Sequence, residues 1–209
     1  FFSTICIIIL INGSNFCDGV NCNVVGYYLI ISLAILFGQF PSPANFPDIR
    51  IIIIIFFVFY LANLFQKSFL GDNGVYVINV FMAIYLINFI NLNSYISPLL
   101  ALNLLWYPAF ENLFTIIRRL NANKTVDEAD GLHLHTLLLK KIYSFNNNFI
   151  FSNSLTGILL NFFMFIGIFL SIHYYDDVKV LMLILIINII IYVLVYFIFL
   201  SRKIKFKSR

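Results

Sequence analysis

The chain has 209 residues, of which 62% are hydrophobic and 11% charged, and its formal net charge is +4. A soluble domain carries about 25% charged and about 45–50% apolar residues, so composition excludes a water-soluble globule, which could not hide that much apolar surface. Most basic residues flank apolar runs, which makes the positive charge a membrane-orientation signal and gives no reason to expect a nucleic-acid partner.

A helix needs about 20 apolar residues to cross roughly 30 Å of hydrocarbon. In chain order the apolar runs cover 1–11, which is incomplete, then 24–40, 50–66, 74–92, 97–117, 151–172 and 178–200. These predict six full spans and part of a seventh. Backbone groups in lipid must be satisfied within the segment, so helices are expected rather than strands. That holds even over Ile51 to Ile55, a β-branched run that would favour strand in water. The expected fold class is all-α: a polytopic transmembrane helix bundle forming one integral-membrane domain over 1–209, with a cytoplasmic loop at 118–150. Phe1 opens inside an apolar run with neither a methionine nor a basic n-region before it, which predicts that an N-terminal part precedes these residues.

Alternation of spans allows two orientations. One side would hold 12–23, 67–73, 118–150 and 201–209, with Lys67, Arg118, Arg119, Lys124, Lys140, Lys141, Arg202, Lys203, Lys205, Lys207 and Arg209; the other would hold Arg50 and Lys179. Short cytoplasmic loops retain Lys and Arg, so the first side and the C-terminus are expected in the cytoplasm. The acidic connection from His173 to Asp177 then falls outside, as a solvated turn. The same division places Asp18, Asp72, Asp127, Glu128, Asp130, His133 and His135 together on the cytoplasmic side. Cys6, Cys17 and Cys22 lack a metal-ligand pattern and read as free thiols.

Polar islands interrupt the apolar runs. The first contains Asn12, Asn15, Asp18, Asn21 and Cys22, a set of amide and carboxylate groups suited to a polar ligand or a cation, and equally suited to a turn between two spans. The second, Lys67 to Gly74, sets Asp72 between glycine-containing turns immediately before an apolar helix. It can bring a carboxylate to a metal-bound phosphate, and capping of that helix explains Asp72 as well. Glu111 follows Tyr107-Pro108 and lies seven residues before Arg118, on the same helical face, so a structural Glu111 to Arg118 pair is one reading and a functional ionisable group the other. In the third island His133 and His135 would point about 200° apart on a helix; both can face one phosphate only if the backbone there is extended or irregular. Leu132, Leu134, Leu137, Leu138 and Leu139 with Lys140 and Lys141 also fit an interfacial segment against anionic headgroups.

Together and in order, these islands resemble the polyprenyl-phosphate N-acetylhexosamine-1-phosphate transferases. That family's pattern is an Asn-x-x-Asn-x-x-Asp-Gly loop, a Phe-Leu/Met-Gly-Asp-x-Gly loop, a Pro-x-x-Asp/Glu before paired arginines, and a His-x-His stretch. Here they stand at Asn12 to Cys22, Phe69 to Gly74, Pro108 to Glu111 with Arg118 and Arg119, and His133 to His135. Cys22 replaces a usual glycine, and Thr136 stands where another His is common. The family's early aspartate-rich loop, which holds essential acidic residues, has no counterpart in these residues and is expected upstream; the 209 residues alone are expected to be inactive.

The resemblance implies transfer of a sugar-1-phosphate from a UDP-amino sugar to polyprenyl phosphate, with release of UMP, at a bacterial inner membrane with the site facing the cytoplasm. It implies Mg²⁺, or Mn²⁺ in its place, held by Asp72. His133 and His135 would be catalytic, engaging the pyrophosphate, and Asn12, Asn15, Asp18, Asn21, Glu111, Arg118 and Arg119 would bind substrate. The bilayer is an expected partner and a homodimer is compatible. A transporter would place ionisable groups near the bilayer midplane, whereas the span centres here are nearly all apolar; an inactive structural homologue is the other alternative.

Overall fold

Nine helices and no strand make up the regular structure of the described residues, which in the computed structural model are 2–123 and 131–201. Of the residues assigned to the cytoplasm from sequence, Lys124, Asp127, Glu128, Asp130, Arg202, Lys203, Lys205, Lys207 and Arg209 lie outside that range. Three helices are long and apolar enough to cross a membrane: α4 (Gly71–Leu92), α8 (Phe149–His173) and α9 (Val178–Ser201). Helix α9 buries one narrow stripe, Leu181, Ile184, Asn188, Tyr192 and Tyr196. Around it Met182, Leu183, Ile186, Ile190, Leu194 and Phe197 are exposed. A continuous apolar exterior of this kind suits lipid rather than water.

Of the remaining apolar helices, α2 and α3 are slightly shorter than the runs that predicted them and α1 extends past the end of its run. Helices α1 (Phe2–Cys17), α2 (Asn23–Phe37) and α3 (Ile49–Leu64) have 15 or 16 residues, about 24 Å at 1.5 Å per residue. At its far end α2 runs into Gly38 and Gln39, the latter at φ 57°, and α3 starts one residue after Asp48, whose carboxylate accepts from the Arg50 N–H at 2.8 Å. The Ile51 to Ile55 run is helical, as expected.

Two differences from the expected elements bear on function. The run 97–117 is broken: α5 (Leu99–Leu104) ends at Leu105 and α6 (Trp106–Asn121) begins after it. Pro108 has no N–H to give the Leu104 carbonyl four residues back, and the Tyr27 hydroxyl donates to that carbonyl instead, at 2.6 Å. The island at Asn12 is the second difference. Helix α1 continues through it to Cys17, so that Asn12 and Asn15 are helical and the turn is confined to residues 18–22. Tertiary partners override the local turn preference: the Ser14 hydroxyl donates to Oδ1 of Asn79 on α4 at 2.5 Å, and Asn112 on α6 reaches the Ile9 carbonyl at 3.3 Å.

In the packing, α1 lies against α6 and α4, α2 against α3 and α8, and α5 against α8 and α9. Within the stretch read as a loop, helix α7 (Leu134–Asn146) buries Leu134, His135, Leu137 and Leu139 and packs on α8 and α9. The bundle therefore has two unlike ends. One is closed by aromatic rings, with Phe40 edge-on to Phe89 and Tyr175, and carries the turn in which Asp177 caps α9 through the Lys179 and Val180 amides. The other gathers the 18–22 turn, the start of α4, the end of α6 and α7.

Candidate functional site

The site is built on the 18–22 turn. Its far side is tied down: the Cys22 N–H donates to Asn63 Oδ1, Asn161 Nδ2 donates to the Cys22 carbonyl at 2.7 Å, and the Asn21 N–H donates to Asn153 Oδ1 at 2.6 Å. Cys22 holds the left-handed conformation, at φ 65°, where a non-glycine residue costs roughly 1–2 kcal/mol. The glycine that the resemblance expects at this position would avoid that cost. All three cysteines are free; burial pushes the Cys22 thiol up to about 12, which leaves it unreactive at neutral pH. Asn21 also donates from Nδ2 to Ser154 on α8, at 3.3 Å. Its backbone N–H and side-chain Nδ2 are thus engaged in holding the turn.

With the turn fixed, Asp18 and Gly19 face two other segments. Burial, then the nearby negative charge of Asp72, raises the Asp18 carboxyl to about 7, while the Gly71 backbone amide pulls it down. Two carboxylates from segments more than 50 residues apart in sequence are thereby brought together. Asp72 does not cap its helix: it lies in the first turn of α4, exposed, and the N-cap position is Leu70, which makes no side-chain cap bond. Gly71 has φ 61°, a conformation open to glycine at no steric cost, and it sets the chain's entry into α4 so that Asp72 follows at once. Among the described residues no group of three or more His, Cys, Asp or Glu could hold a metal ion alone. Asp18 and Asp72 are the two carboxylates there close enough to act on each other electrostatically.

Gly19 meets His135. A methyl group on Gly19 would lie 2.0 Å from Nε2 of the ring, so the absence of a side chain makes room for the imidazole. The His-x-His backbone is irregular, the condition under which two residues at this spacing can share a side. His133 is extended at ψ 151° as the residue before α7, and His135 is already helical. The two rings consequently stack nearly parallel, with centroids 5.5 Å apart at 8°. Phe16 stacks on His133 at 5.3 Å, and the Arg119 guanidinium lies over Phe16 at 5.3 Å.

Helix α6 contributes a buried stripe at four-residue spacing, Glu111, Thr115 and Arg119. Glu111 is engaged by His133 Nδ1 at 2.9 Å and by the Tyr192 hydroxyl, where the sequence offered Arg118 as its partner. Arg118 is half-buried near the end of α6. Asn15 is half-buried and Asn12 exposed, three residues apart on the face of α1 that leads to Asp18. Phe16, Thr115 and Tyr192 were not singled out from sequence. A signal for Tyr192 exists: Asn188, Tyr192 and Tyr196 recur every four residues in an otherwise almost wholly apolar run.

His135 is 4% exposed, and burial lowers its pKa to about 4; Nδ1 has no hydrogen-bond partner among the described residues. It is therefore neutral at pH 7 and can donate one hydrogen bond without carrying charge. In the unfolded chain the same group takes a proton near pH 6.5. As pH falls through that value the unfolded state binds a proton that the folded state refuses until about 4, so the His135 contribution to stability declines across this window. Between pH 7 and 5 that contribution falls by roughly 2 kcal/mol, while Asp18, raised to about 7, works in the opposite direction because its folded state takes up the proton first. The comparison of variants isolates it: in thermal unfolding in detergent, His135→Gln should gain roughly 2 kcal/mol relative to wild type on going from pH 7 to pH 5; an unchanged pH dependence in that variant would refute the assignment.

No protein-family profile, curated protein or solved structure matches the chain.

Proposed function

We propose that this chain is a membrane transferase that passes N-acetylhexosamine-1-phosphate from a UDP-amino sugar to polyprenyl phosphate, releasing UMP, at the cytoplasmic face of a bacterial inner membrane. The observation that carries the reading is the convergence of four separate polar segments: Asp18 with Asp72, Gly19 with His135, and Glu111 with His133. These are the four islands on which the family resemblance rests, and a bundle needing only stability has no reason to collect them at one end. The reading includes six full spans and a partial one, with Lys67, Arg118, Arg119, Lys140 and Lys141 on the cytoplasmic side.

In the proposed reaction a lipid phosphate oxygen attacks the β-phosphorus of the nucleotide sugar. A new phosphoanhydride forms, the old one breaks, and UMP leaves with the displaced oxygen. The difficulty is bringing anions together, so positioning and charge compensation dominate. Asp18 and Asp72 fit Mg²⁺, which prefers one or two carboxylates completed by substrate phosphates and waters to an all-protein cage. When bound, the ion would neutralise phosphate charge as it develops. Asp72 would hold it, with Asp18, Asn15 and Asn12 along the nucleotide. His135 would give its neutral N–H to the pyrophosphate, and Arg118 and Arg119 would hold phosphate oxygens.

The test uses membranes containing the complete gene product, supplied with labelled UDP-N-acetylhexosamine, polyprenyl phosphate and Mg²⁺. Labelled lipid and an equal amount of UMP are expected, and both should disappear when EDTA is added. UDP-sugar consumption without lipid product, or no consumption at all, would sink the reading.

A further inference from the structure

Glu111 lies midway along α6 and is 1% exposed. A carboxylate buried to that degree persists when donors meet its oxygens, and here both donors come from outside α6. Oε1 is 2.9 Å from Nδ1 of His133, just before α7, and Oε2 accepts from the Tyr192 hydroxyl on α9. A neutral imidazole carries one ring proton, and a carboxylate oxygen at Nδ1 draws it there, leaving the lone pair on Nε2. Thr115 Oγ1 stands 3.5 Å from the same Nδ1, and Phe16 and His135 stack on the ring. Three helices and the α1 terminus thus converge on the orientation of one side chain.

We propose that Glu111, braced by Tyr192, is a positioning residue that fixes His133 in its Nδ1–H tautomer. Any proton the imidazole takes up in the reaction then enters at Nε2, and the Glu111 carboxylate at Nδ1 balances the resulting imidazolium. This replaces the expectation that Glu111 touches substrate: it acts through His133. The chemistry served rests on the transferase reading, whereas the tautomer does not.

Nitrogen-15 NMR of histidine-labelled full-length protein in detergent micelles tests this directly, because His133→Gln assigns the resonance in question. Wild-type His133 is expected to carry its proton on Nδ1, and Glu111→Ala to move it toward the Nε2–H form. A proton on Nε2 in the wild type overturns the proposal, and so does an unchanged tautomer in Glu111→Ala. The wild-type spectrum decides even if that variant fails to fold. In the transfer assay Glu111→Ala is expected to lower kcat by about 10-fold to 100-fold, with KM for the UDP-sugar unchanged within about threefold; a loss confined to KM counts against a positioning role. Absence of labelled lipid from wild-type membranes refutes the transferase reading alone, and the tautomer then decides this proposal by itself.

Discussion

Asp72→Asn is expected to reduce sugar-phosphate transfer on the order of 1000-fold while leaving the bundle folded. The substitution is isosteric and removes one negative charge from the first turn of α4, where an anion gains about 0.3–1 kcal/mol from the helix dipole. Asp72 is exposed and makes no cap bond, so that small term bounds the loss of stability. The catalytic term is larger. A divalent ion clamping transferring phosphates contributes several kcal/mol, and each 1.36 kcal/mol is a factor of ten in rate. Transfer to labelled lipid, measured beside thermal unfolding in detergent, separates the two: activity should collapse with an unfolding temperature within a few degrees of wild type. Turnover within tenfold of wild type would remove Asp72 from the metal site.

What was legible in the sequence divides along a physical line. Long apolar runs bounded by polar breakers identify α4, α8 and α9, because span length and apolar content are local properties. That two His residues two apart share a side only where the backbone leaves the helix also followed from local geometry, and His133, extended at ψ 151°, stands at such a place. The island at Asn12 misled because turn propensity is a local preference and its outcome is not. Ser14 finds Asn79 65 residues away, and that partner keeps α1 helical past the residues that read as a turn. The break at Leu105 was readable in principle: Pro108 removes a donor to Leu104, but where the freed carbonyl would find Tyr27 was not. Phe16 sits inside the first polar island, where a side chain without a polar group reads as part of the turn, and the four-residue recurrence of Asn188, Tyr192 and Tyr196 marks a face of α9 without saying what that face meets. Likewise the choice for Glu111 between Arg118, on its own helix, and His133, on another segment, turns on tertiary contact that periodicity does not carry.

Gly19→Ala is expected to lower transfer about 100-fold, and it probes the convergence of segments rather than any one reacting group. The added methyl would sit 2.0 Å from Nε2, 2.7 Å from Cδ2 and 3.0 Å from Cε1 of His135, so one partner must move. Gly19 belongs to a turn anchored at Asn21 and Cys22 to α3 and α8. His135 is buried and stacked on His133. The ring is the softer of the two, and its displacement of an ångström or so drags the His133 stack with it. A misplacement of that size in a phosphate-binding group costs about 100-fold, whereas overpacking at one site costs about 1–3 kcal/mol of stability. The double variant Gly19→Ala/His135→Ala isolates the cause. Removing the ring leaves space for the methyl, so the pair should be at least as stable as His135→Ala alone, while transfer should stay as low as in His135→Ala. If Gly19→Ala retains full activity, His135 is not held against the turn where substrate phosphate would meet it; if the double variant is the least stable of the three, the clash lies elsewhere in the turn and not at the imidazole.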